Sequence, residues 1–135
     1  MKKIYLFAFA ILALNACKDS KADEKAILNN VIKIHDKVMG VDEQLMQNKM
    51  KLDTLLLEAK NNEAKEKITY LRSKLIKADS AMENWMQKFD PEQKGKTHEE
   101  IIKYLSAQKE QVIAVDSLLA GAVKESTEYL KPFKK

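Results

Sequence analysis

From Ile27 the apolar positions fall at Ile27, Val31, Ile34, Val38, Val41 and Leu45, pass through polar Asn48, and resume at Leu52, Leu55 and Ala59. The steps alternate between four and three, so one face of a helix stays apolar; the pattern predicts a helix over about 24–60. Asn61-Asn62 interrupts it, a pair suited to a turn and to capping the next helix. A second seam, Ala64, Ile68, Leu71, Leu75, Ala78, Met82, Trp85 and Phe89, predicts a helix over about 63–90 that Asp90-Pro91 ends. Thr97 with Glu100 three residues on forms a capping box. It opens a third helix over about 98–131, with the seam Ile101, Leu105, Gln108, Val112, Val115, Leu119, Ala122, Ser126 and Tyr129. Pro132 stops it, leaving 132–135 as a tail.

Short connections make neighbouring helices antiparallel, and a seven-residue repeat implies a left-handed supercoil. The predicted fold is therefore all-α: an antiparallel up-down-up three-helix bundle with left-handed coiled-coil packing over 25–131. Only three glycines and two prolines agree with long helices. Gly40 and Gly121 fall inside helices, where glycine costs about 1 kcal/mol relative to alanine, so close packing or a bend is expected to offset each. Folding about Asn61 sets Trp85 level with about position 37 and over Gly40; folding about Lys94 sets Gly121 under Leu55-Leu56-Leu57. Asn48 and Gln108, polar within the seams, are expected to fix register.

The chain opens MKKIYLFAFAILALNAC: two lysines, an apolar run from Ile4 to Leu14, and a small residue before the chain's only cysteine. That is a secretory signal, too short to span a membrane. Leu14-Asn15-Ala16-Cys17 resembles the bacterial lipobox, which implies a lipoprotein signal peptide over 1–16, cleavage before Cys17, and diacylglycerol and acyl chains on that residue. Each buried methylene contributes about 0.8 kcal/mol, so several chains make a lasting anchor. Lys18 follows the cysteine where an inner-membrane retention signal would carry aspartate, which points to the outer membrane, on its periplasmic face or the cell surface. Residues 17–24 read as a tether, with Ser20 to Asp23 a short spacer lacking an apolar face. The net charge of +4 falls to about +2 without Lys2 and Lys3, and the remaining lysines alternate with acids. No nucleic-acid partner is expected.

No glycine-rich phosphate loop or nucleophile elbow is present, and only His35 and His98 are available as bases near neutral pH. The chain reads as a non-enzyme with no evident small-molecule substrate. One constellation stands out. His35, Met39 and Met46 share a stripe beside the first seam, and the antiparallel register sets Met82 level with about position 40 and Met86 with about position 36. Imidazole and thioethers suit Cu(I), so His35, Met39, Met82 and Met86 form a candidate metal site. The same methionines also serve as core filling against Trp85.

His35-Asp36-x-x-Met39, then Ala78-Asp79-x-Ala81-Met82-x-x-Trp85-Met86-x-x-Phe89, and Tyr104-Leu105 near the start of the third helix resemble a group of small helical Bacteroidota lipoproteins often labelled "viral A-type inclusion protein". The resemblance implies a lipid anchor and helices, and brings no activity with it. The expectation is a non-enzymatic, lipid-anchored envelope protein serving as a binding or assembly module for an envelope partner. Periplasmic Cu(I) binding or buffering, and a structural spacer or adhesin-like role, are the alternatives.

Overall fold

The computed structural model describes residues 9–133, with side chains from Ser20 onward. The start of the leader and the final two lysines lie outside the described residues, as does the side chain of Cys17. The described chain is all-helical: α1 (Phe9–Met39), α2 (Asp42–Glu58), α3 (Asn62–Lys88), α4 (His98–Leu130) and a closing 3₁₀ turn (Lys131–Phe133). Among the described residues no helix is long and apolar enough to cross a membrane.

The seams become the core. Val31, Val38, Leu45 and Leu52 from α1 and α2 are buried with Ile68, Leu71, Leu75, Ala78, Met82 and Trp85 from α3 and Leu105, Val112, Val115, Leu119 and Ala122 from α4. Polar Asn48, Gln108 and Ser126 are buried among them. Leu130 alone of the buried residues lies off the expected seams.

Contacts between the stems keep a consistent order. Along α1 and α2, Glu24 meets His98, Lys37 meets Asp116 and Asn48 meets Ser126, so positions rise together with those of α4. Against α3 they fall: His35 meets Met86, while Asp53 meets Arg72. Lys74 binds Glu125 across the α3–α4 face, and that hydrogen bond raises the lysine's pKa and lowers the carboxyl's. The pair is solvent-screened and serves alignment more than stability.

Three expectations are corrected. The helix expected over 24–60 is two helices. The amide of Gly40 still donates to Asp36 O (3.1 Å), but that of Val41 tightens to Val38 O (3.0 Å) before Leu45 N bonds Val41 O and α2 begins. No residue is inserted, so Val38, Val41 and Leu45 keep their phase through the break. Second, Ser20–Asp23, expected as a spacer, continue α1. Third, neither Gly40 nor Gly121 is closely packed; at Gly40 the other expectation, a bend, holds, since the glycine falls in the break between α1 and α2. A Cβ on Gly40 would meet only backbone carbonyls of its own turn, at 3.2 Å from Lys37 O, and one on Gly121 would meet nothing within 4 Å. Trp85 lies beside His35 instead of over Gly40, and Leu57 is 88% exposed instead of covering Gly121.

The helix ends follow the sequence signals. Asn61 caps α3 by accepting from Ala64 N (2.8 Å). Thr97 and Glu100 form the full capping box: the Thr97 amide donates to Glu100 Oε2 (2.8 Å) while Thr97 Oγ1 accepts from Glu100 N (3.3 Å). Those bonds from Thr97 hold the Glu100 carboxyl below its ordinary pKa. Between α3 and α4, Asp90 Oδ1 accepts from the amides of Glu92 and Gln93, and Gly95 takes a left-handed φ of 78°.

Candidate functional site

Residues four apart on α1 share a face, so His35 and Met39 point the same way, toward the side where α3 presents Met82 and Met86. The backbones of α1 and α3 almost never approach closely among the described residues, because α1 packs chiefly on α4. Long side chains bridge the space. His35 Nε2 lies 3.3 Å from Met86 Sδ, and Nδ1 lies 3.1 Å from Asp36 Oδ1.

Two grooves flank this contact. One, of about 370 Å³, is lined by Met39, Met46, Met82 and Met86 with Val38 and Leu119, and carries Asp42, Lys49, Asp79 and Glu83 at its edge. The other, of about 330 Å³, is lined by Ile32, His35, Trp85, Met86, Phe89 and Pro91. Met86 belongs to both. The four residues singled out from sequence are therefore drawn to one place, but they differ in access: Met82 is 4% exposed, whereas Met39 and Met86 are 43% and 39% exposed. Met82 is a core residue that forms the groove's wall.

Aromatic rings continue from the histidine. Trp85 sits 6.0 Å from His35, stacks on Phe89 at 4.9 Å, and Phe89 lies parallel to Tyr104 at 6.4 Å. The Tyr104 hydroxyl accepts from the Asp90 amide (2.7 Å), tying the α3–α4 loop to this row. Trp85 Nε1 is buried without a hydrogen-bond partner.

The acids at the groove edge were not singled out from sequence. Asp79 and Glu83 stand four apart on α3, beside Met82 and Met86, a spacing that helical reading alone detects. Among the described residues no three or more His, Cys, Asp or Glu side chains gather into a metal-holding group. His98 lies away from the groove and pairs with Glu24 at 2.7 Å.

The polar seam positions behave differently from one another. Asn48 Nδ2 donates to Ser126 Oγ (2.9 Å) and Thr127 Oγ1 (2.8 Å), and Oδ1 accepts from Gln44 (2.8 Å). Gln108 Oε1 is buried without a partner.

No protein-family model matches the chain. No solved structure matches it either.

Proposed function

We propose that this protein is a non-enzymatic lipoprotein, anchored through Cys17 to the bacterial outer membrane, whose helices serve as a binding or assembly module for an envelope partner. The carrying observation is the coincidence of the chain's sole cysteine with the end of Leu14-Asn15-Ala16-Cys17, directly after an apolar leader. The non-enzymatic part rests on the sequence, which offers two histidines and neither a phosphate loop nor a nucleophile elbow.

The fold belongs to the same proposal: an antiparallel up-down-up three-helix bundle with left-handed coiled-coil packing. Buried seams with a seven-residue repeat support it, as do contacts that rise together along α1 and α4 and fall between α1–α2 and α3. Membership of the small Bacteroidota lipoprotein group is a further part of the reading. It is supported by His35-Asp36-x-x-Met39 and the Trp85-Met86-x-x-Phe89 run.

A tether that is helical from Cys17 onward has a mechanical meaning. Glu24, held by His98, lies seven residues past the anchor, about 10 Å along a helix. The bundle would then stand with its α3–α4 loop toward the lipid. Intact-mass analysis of the protein from native membranes tests the anchor: cleavage before Cys17 with added diacylglycerol is expected, and retention of residues 1–16 or an unmodified cysteine overturns it. Crosslinking in the intact envelope tests the module. A stoichiometric partner is expected, and recovery as a lone monomer favours a spacer.

A further inference from the structure

The contact between His35 and Met86 is chemically incomplete. In the tautomer that donates Nδ1–H to Asp36 Oδ1, 3.1 Å away, the imidazole carries a lone pair on Nε2. That lone pair faces a thioether sulfur, itself an acceptor, at 3.3 Å. In that tautomer two electron-pair donors stand close enough to share one ion. Bonds of about 2.0 Å to nitrogen and 2.3 Å to sulfur, usual for a d¹⁰ ion, span such a separation at roughly 100°, close to tetrahedral.

Donor softness selects the ion. Imidazole with thioether suits Cu(I). Asp36 on the far nitrogen fixes the ring and its tautomer, as metal-ligating histidines require. Met39, one turn from His35 and exposed on the same groove as Met86, is the third donor within reach, whereas Met82 is committed to the core. Asp42, Asp79 and Glu83, set against Lys49, leave the groove lining net acidic, which favours a cation.

We propose that His35 Nε2 and Met86 Sδ, completed by Met39 Sδ, bind one Cu(I) ion in the space between α1 and α3. The inference stands apart from the lipid anchor, since it uses no residue of the leader. Trp85, the chain's only tryptophan, sits 6.0 Å from His35 and reports on occupancy.

The test uses the full chain carrying Cys17→Ser, which removes a competing thiol, in mild detergent under reducing, oxygen-free conditions. Cu(I) is titrated against a chromophoric Cu(I) chelator while Trp85 emission is followed. One ion per chain, quenched emission, and at least tenfold weaker binding in His35→Ala and in Met86→Leu are expected. Met50→Leu, exposed and off the groove, should bind as the parent does. Circular dichroism verifies that each variant is helical. Failure of the parent to take Cu(I) from the chelator, unchanged affinity in Met86→Leu, or equal response to Zn²⁺ overturns the proposal.

Discussion

Asn48 and Gln108 look alike in sequence, yet their replacement should move stability in opposite directions. Asn48→Ala removes an amide whose two hydrogens serve three acceptors on α4, Ser126 Oγ, Thr127 Oγ1 and, at 3.3 Å, Val123 O, and it removes the bond from Gln44 within α2. The two crossing hydrogens contribute about 1 kcal/mol each, and the void left at a fully packed position adds about 1 kcal/mol more. Ser126 keeps its own acceptors, Ala122 O and Val123 O, so its hydroxyl proton is not stranded. A loss of about 3 kcal/mol follows, which for a domain of this size lowers the melting temperature by roughly 10–20 °C. Gln108→Leu instead deletes a buried carbonyl oxygen that has no partner. Removing such an orphan recovers about 1 kcal/mol or more. The assay is urea unfolding of the full chain followed by Trp85 emission, with thermal melts by circular dichroism. If Asn48→Ala costs under about 1 kcal/mol, or Gln108→Leu destabilises, then the buried hydrogen bonds are not what holds the stems in register.

The glycines give a second pair with opposite signs. Gly121→Ala fills open space in an exposed helical position and should stabilise by about 1 kcal/mol in a thermal melt, while Gly95→Ala, at a left-handed φ of 78°, should cost about as much. Thr97→Ala removes the cap of α4 and should cost about 1 kcal/mol, with faster amide exchange in the first turn of that helix. Because the Glu100 carboxyl is held below its ordinary pKa, its contribution is present above that ordinary value. It is lost as pH falls through the lowered one. The protection factors of the amides over residues 98–101, taken against intrinsic exchange at each pH, should therefore fall in acid, and Glu100→Gln should flatten that step.

Steps of four and three along the chain picked out all but one buried position, because burying one face of a helix is what writes that rhythm into a sequence. Leu130 escaped because it lies four residues past Ser126, where strict alternation calls for a step of three and lands on Tyr129. The break at Gly40-Val41 was invisible for the complementary reason: one tightened turn without an inserted residue leaves the apolar phase intact. Level arithmetic brought Met86 beside His35 correctly, yet it overread the glycines, since it fixes height along a stem and not which way a backbone faces. The acids edging the groove were lost among the alternating charges of solvated faces. Only neighbouring helices distinguish Asp79 and Glu83 from Glu63 or Glu66.

The wide spacing between α1 and α3 has a dynamic consequence. The helices pack chiefly along α1–α4, α3–α4 and α2–α3, while long side chains span the α1–α3 edge, so that edge is the one least tied by backbone packing. A displacement of α1 about its contact line with α4 would widen the methionine-lined gap before it disturbed the α3–α4 contacts. The Gly40-Val41 joint lets α1 make that motion without dragging α2 along. Met86, 39% exposed on that edge, is reached from solvent with no opening at all, whereas Met82, 4% exposed behind it, would be reached only as the gap widens.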